Sequence, residues 1–479
     1  MSAPLTRRQV LRGAAGAAVG AGALSAGPLL GTAARAAGKR DRVAIVGAGA
    51  GGIAAAYFLD GTYDVDIYEG RTRIGGHCDS RWVDVGGDQV VVDLAAQFFH
   101  PDTHPIYVTL LEQLGLFDRS DPNGLQTRKS VGSLTIFPTD GGAPRFTSTH
   151  PLDDLPTALA FASFTQQARS AVIDGLAWEV TVEEWIASLP LDAAFKADVL
   201  YPWITATIGC SRADAARVSA RSILQTFALS FPEDPAAGAS TFSSRIGLQG
   251  NLQRLLAESR VRRVRRNSLV TSLGYGRDGW RVATPNGTKG GYRYLVMNAP
   301  PHVSRGLLKR LPHFAKVAAV LREYRYFSSR LLVHRDPAYV PSDPSYWTAY
   351  NAGITGSECE GSAWMGALTD PLPSGTPIDL FKSWAQRRSA DPRRIVFQRE
   401  FKHPLITPEA IAAARKLQRW QGRHGLYFSG AFTTGSDLQE TALYSAMKVA
   451  EEIAPGSRNL RSLQKRLRAN GIAGISYDL

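Results

Sequence analysis

Six residues, Gly47-Ala48-Gly49-Ala50-Gly51-Gly52, constrain the fold of this 479-residue chain more than any others. They follow an apolar run at 42–46 and precede 53–59, whose composition favours a helix. A second apolar run at 65–68 ends on Glu69. Strand, glycine turn, helix, strand is the opening of a dinucleotide-binding βαβ unit. Each glycine of the G-x-G-x-x-G pattern has its own task. Gly47 permits the tight turn, Gly49 lets a pyrophosphate approach the backbone, and Gly52 lets helix and strand pack closely. The helix then turns the positive end of its dipole toward the phosphates. Glu69, 20 residues after Gly49, stands where a carboxylate accepts ribose hydroxyls. The hexapeptide alone is weak, and its place between strand and helix makes it specific.

The rest of the chain bounds what this unit serves. The length fits two intertwined domains, and a 44% hydrophobic, 20% charged composition is that of an ordinary globular enzyme. The net charge is +13, of which Arg7, Arg8, Arg12 and Arg35 supply four. That excess favours anionic surroundings such as envelope polymers or lipid head groups, leaving peripheral contact with such a surface open. No nucleic-acid module is visible. The three cysteines, Cys78, Cys210 and Cys359, lack CxxC spacing, so no zinc site is expected. Burial as small apolar residues is favoured for them over a disulfide. Residues 1–36 read as an export leader. Thr6-Arg7-Arg8-Gln9-Val10-Leu11 resembles the twin-arginine pattern, a weakly apolar stretch follows, and Ala34-Arg35-Ala36 is an A-x-A cleavage site. A membrane anchor is the competing reading, weakened by Gly/Ala-rich composition and Pro28. Residues 105–240 read as mostly helical. Two strands near 270–273 and 280–284 flank a glycine-rich turn, and a helix covers 440–453. In the basic tail, Leu460, Leu463 and Leu467 at helical spacing favour a packed terminal helix with a solvated basic face.

The segment Glu69-Gly-Arg-Thr-Arg73-Ile-Gly75-Gly76-His77 resembles the E-x-x-x-R-x-G-G segment of the flavin amine-oxidase superfamily. That resemblance implies FAD, with Arg73, Gly75 and Gly76 along the pyrophosphate and the flavin. Residues 92–100 are similar to the family's strand bordering the flavin ring, with Ala95 where glycine is usual, placing Ala96 and Gln97 beside the cofactor. Segments 330–336, 347–351, 401–404 and 427–446 are similar to a subgroup of bacterial FAD/NAD-binding oxidoreductases, often encoded beside cyclopropane-fatty-acyl synthases. Gln439 replaces that subgroup's His, and Thr441-Ala442 its Asp-Gly. The resemblance adds Val270, Gly430 and Glu440 to the cofactor contacts. Two features depart from amine oxidases proper. Gly430-Ala431 stands where they have Gly-Glu or Gly-Asp, and no lysine can be matched to the one they place near flavin N5.

The expected fold is therefore α/β, a Rossmann-like FAD domain with an inserted substrate domain of helices and antiparallel strands. The leader is 1–36, and the FAD domain comprises 37–110, 241–310 and 401–455. The substrate domain comprises 111–240 and 311–400, and 456–479 form the basic tail. His77 is the catalytic candidate, as the base of a dehydrogenation, with packing against backbone as the equal alternative. Phe98, Trp347, Tyr350 and His403 are expected around a small-molecule substrate, although aromatic residues also fill cores. Cys78 could bond to the flavin, but a buried spectator thiol is favoured. The expected reaction is hydride transfer from a substrate C–H to flavin, slightly favouring a lipid-like or secondary-metabolite substrate over an amine. A non-catalytic binder, as in the GDP-dissociation inhibitors that share this fold without flavin, is the third reading. The intact glycine set argues against it.

Overall fold

The computed structural model describes residues 40–479, apart from 262 and 473, so the expected leader lies outside the described residues. β1 (Arg42–Val46) and β2 (Asp64–Tyr68) pair in parallel and are joined by α1 (Ala50–Leu59). β3 (Arg263–Arg265), β4 (Tyr294–Met297) and β5 (Leu426–Phe428) complete a parallel sheet in the order β5-β4-β1-β2-β3. Helices cover such a sheet on both faces, which is why its strands are continuous apolar runs rather than alternating ones. Val43, Ala44 and Ile45 are fully buried.

A second sheet has seven strands, in the order Ile395–Leu405, Arg325–His334, Phe381–Trp384, Glu358–Trp364, Tyr350–Thr355, Leu134–Pro138, Phe146–Thr147. Its pairings are antiparallel except Tyr350–Thr355 with Leu134–Pro138. The mostly helical expectation for 105–240 holds for the bulk of that segment, although Thr127–Val131, Leu134–Pro138 and Phe146–Thr147 are strands. Leu134–Pro138 finds its ladder partner far along the chain, and such non-local pairing leaves no periodic trace in a short apolar run. The expected hairpin is present as Ser272–Gly276 with Gly279–Thr284.

Among the helices that do form are α2 (Pro105–Gln113), α3 (Leu155–Ile173), α4 (Tyr201–Ile208) and α5 (Ala220–Phe227). The last three meet through Phe161, Phe164, Trp203 and Phe227, whose rings pack mostly edge-on. At the other end of the chain, α6 (Gln439–Ile453) packs on α1. The approach is close: a Cβ on Gly51 would lie 3.1 Å from the Ala442 carbonyl oxygen. α7 (Arg458–Ala469) buries Leu460, Leu463 and Leu467 in the same core and leaves Arg461, Lys465, Arg466 and Arg468 exposed, as its spacing required. No helix among the described residues is long and apolar enough to cross a membrane.

Candidate active site

The glycine turn forms one end of a cavity of about 1760 Å³. Backbone dominates there, with Gly47, Gly49, Gly75 and Gly76 all facing the space. Gly47 and Gly75 have φ of +102° and +112°, where a side chain would be strained. A Cβ on Gly52 would stand 2.1 Å from the Gly47 carbonyl oxygen, so α1 reaches the turn only because residue 52 lacks one. Glu69 braces the turn: Oε2 accepts from the Ala48 amide and Oε1 from the Arg71 amide, both at 2.9 Å. Asn298, just past β4, donates to the Ser429 carbonyl at 2.7 Å, while its Oδ1 is buried without a partner. Arg73 donates to the Gly76 carbonyl at 2.9 Å and pairs with Asp79 at 2.9 Å. Burial lowers its guanidinium to about 10 in spite of Asp79.

The same cavity gathers titratable groups from four separate segments. His77 faces His403, from strand Ile395–Leu405, with ring centroids 5.0 Å apart. His403 is boxed by aromatic rings: it stacks on Phe327 at 5.6 Å and meets Trp384 edge-on at 5.7 Å. Its Nδ1 is 3.9 Å from Asp437 Oδ2, an ion-pair distance, and its Nε2 is buried without a partner. Burial first, and then the neighbouring His403, push His77 down to about 4, so its imidazole is neutral at neutral pH. The Asp437 side chain is 33% exposed; its partial burial would raise the carboxyl, but contact with His403 and the fields of both histidines hold it below the usual range. Lys382, on strand Phe381–Trp384, also lines the cavity. Burial lowers its ammonium to about 7 against the field of Asp93, itself pushed up to about 7 by burial. Phe161, Trp203, Ile223 and Phe227 on α3, α4 and α5, with Phe146 and Phe231, give the same cavity apolar walls.

The family model for flavin containing amine oxidoreductase matches residues 50–328. The chain belongs to that family. Membership assigns FAD as the cofactor and oxidation–reduction as the class of reaction. A probable zeta-carotene desaturase of Synechococcus elongatus is 33% identical over 135 residues, 26% of this chain and 27% of that protein. The match thus spans about a quarter of the relative's length. Cyclohexylamine oxidase from Brevibacterium oxydans IH-35A has a similar structure, with TM-score 0.60 at 14% identity over 86% of this chain and 99% of that one. A CLA-producing fatty acid isomerase from P. acnes gives TM-score 0.59 at 16% identity, covering 87% and 99%. At such identities the likeness concerns the fold alone.

The residues present fit FAD. The cavity exceeds the roughly 300–1,000 Å³ of a single small-ligand pocket, which leaves space for a cofactor and a substrate together. No side chain caps α1 at Gly49, so its first amides are free for an anion. Gly47, Gly49, Gly75, Gly76 and Arg73 would hold the pyrophosphate and Glu69 the ribose. Ala96, Gln97, Val270 and Gly430 line the same cavity and would complete the seat. Gly52 lies behind it, in the packing role its spacing implied.

Two expected contacts are corrected. Glu440 is 0% exposed and does not line the cavity; its carboxyl oxygens accept from the Ile106 and Tyr107 amides at 2.9 and 2.8 Å, capping α2. Its neighbour Gln439 lines the cavity instead. Trp347 donates to the Pro341 carbonyl and packs on Trp364 and Phe381, outside the cavity, whereas Phe98, Tyr350 and His403 do line it. Cys78 lines it too, but burial raises its thiol to about 12, and all three cysteines are free. Lys382, which the sequence had not singled out, is a buried lysine in the cavity. A charged residue inside the apolar run 380–384 was the signal for it. Asp437 was hidden, because an acid just before a helix reads as a cap.

Proposed function

We propose that this chain is an FAD-dependent oxidoreductase that dehydrogenates a lipid-like substrate at a C–C bond, hydride leaving one carbon and a proton the next. The observation that carries this is the cavity itself, which joins the glycine turn to apolar walls formed by Phe146, Phe161, Trp203, Phe227 and Phe231. Such a space takes up an apolar chain by removing its surface from water. FAD, when bound, supplies the two-electron acceptor. The chain's own residues bind the apolar substrate, exclude water and take the proton. His77 suits the last task because its imidazole is neutral at neutral pH and faces the cavity. A probable carotene desaturase among the sequence relatives and a fatty acid isomerase among the structural ones support an apolar substrate.

Amine oxidation is the second reading, and Lys382 is the observation that favours it, because a buried lysine in the cavity is the residue type whose lack had counted against an amine oxidase. The likeness to cyclohexylamine oxidase points the same way. The two readings separate in anaerobic stopped-flow with amines, amino acids and unsaturated acyl chains. An apolar-chain dehydrogenase is bleached by the acyl chains, with a pH profile set by an enzyme group. Rapid bleaching by a simple amine, at a rate rising with the neutral-amine fraction, would establish the amine reading instead.

A further inference from the structure

His77, His403 and Asp437 come from a loop, a strand and the approach to a helix, yet one nitrogen or oxygen of each lies within 4.8 Å of the others. We propose that His403 and Asp437 form a relay behind His77: His77 takes the proton from substrate, and His403, oriented by the Asp437 carboxylate, shares the resulting positive charge. This rests on the dehydrogenation reading. The balance is complete, since one C–H bond gives up hydride to the flavin and its neighbour gives up a proton to His77. The electron pair of that second bond becomes the new C=C bond.

Three features make His403 the second member. Its ring is fixed between Phe327 and Trp384, and the backbone ladder pairs residue 403 with 327. Its Nδ1 faces Asp437, which favours the tautomer carrying a proton on Nδ1 and a lone pair on Nε2. That Nε2 is buried and unpartnered, a costly condition for an acceptor unless it is used. His77 lies beside this ring, with centroids 5.0 Å apart, and directly follows the glycine pair in the chain. The surrounding charges make the carboxylate necessary. Arg71 and Arg73 on the His77 side oppose an imidazolium. Lys402, next to His403 on its own strand, and Lys382, two strands away in the same sheet, line the same cavity, with Glu400 and Tyr326. Asp437 offsets this excess. It touches neither substrate nor flavin in the proposal and is a positioning residue.

The test uses the FAD-loaded protein with carbon-13-labelled histidine, its signals assigned through His77→Gln and His403→Gln. In the wild type, the His77 and His403 signals should titrate as one coupled pair. Asp437→Asn should shift both to lower pH by about one unit or more, and Asp437→Glu should return them toward the wild-type values. Flavin absorbance verifies that each variant is folded and loaded. Independent single-step titrations, or signals unmoved by Asp437→Asn, would overturn the relay. With linoleate micelles as the probe, the acid limb of anaerobic bleaching should move to lower pH in Asp437→Asn, because a weaker base stays deprotonated to lower pH. Its plateau should fall about 10- to 100-fold. Failure of linoleate to bleach the wild type counts against the dehydrogenation reading alone, while the histidine titrations decide the relay.

Discussion

Gly49 and Gly52 show how differently two glycines of one motif act. Residue 49 faces the cavity, where a Cβ would stand 3.0 Å from Asn298 Oδ1 and point into space the pyrophosphate needs. Residue 52 faces the protein, where a Cβ would stand 2.1 Å from the Gly47 carbonyl oxygen, in the backbone itself. The expected outcomes differ accordingly. Purified wild-type protein should be yellow, with oxidised-flavin absorbance. Gly49→Val should be folded and colourless, and should stay colourless when incubated with FAD. Gly52→Ala should lose thermal stability as well as flavin, because the turn itself must shift. Absorbance spectra and melting curves of the two variants verify the distinction. A yellow Gly49→Val would contradict the pyrophosphate assignment.

At the scale of elements, α2 depends on a residue far along the chain. Helix starts leave amides without intrahelical partners, and here the carboxyl of Glu440, at the start of α6, accepts from Ile106 and Tyr107. Burial raises that carboxyl to about 8, against the pull of the two amides. In the unfolded chain it ionises near the ordinary glutamate value. The folded form therefore holds an extra proton between about 4.5 and about 8, and stability falls as pH rises through that window. Glu440→Gln keeps an acceptor and removes the titration, so its melting temperature should fall less than that of the wild type between pH 5 and pH 9, with FAD still bound. Glu440→Ala leaves two amides unpaired and should cost about 1–3 kcal/mol at pH 5. Denaturation curves at the two pH values check both. Loss of FAD in Glu440→Gln with stability unchanged would restore the cofactor role that the family pattern had implied.

For the whole molecule, the parallel sheet takes strands from three distant parts of the chain, and the cavity draws on both sheets and the helices above them. A seat assembled this way exists only in the folded protein, which suits the export route we propose from Arg7-Arg8 and the A-x-A site at 34–36. The twin-arginine machinery carries folded proteins with their cofactors in place. Arg7→Lys combined with Arg8→Lys should retain the precursor in the cytoplasm, and exported wild-type protein should begin at about Ala37. Cell fractionation and N-terminal sequencing check these outcomes, and undiminished export of the double variant would sink the proposal.

Local chemistry alone determined the dinucleotide end of this protein. The glycine turn, the acid after the second strand and the Arg73-Ile74-Gly75-Gly76 continuation act through backbone geometry within a few residues, so their spacing carries their meaning. The same holds for α7, whose buried leucines repeat at helical intervals. The other end was decided by tertiary structure. Glu440 and Trp347 have the right residue types for a site and are spent on a helix cap and on aromatic packing. Asp437 and Lys382 carry no motif, and their roles depend on what surrounds them. Only when the strands Phe381–Trp384 and Ile395–Leu405 converge with the glycine pair do an aspartate, a lysine and two histidines share one cavity. Burial there, rather than sequence, lowers the proton affinities of His77 and Lys382, to about 4 and about 7.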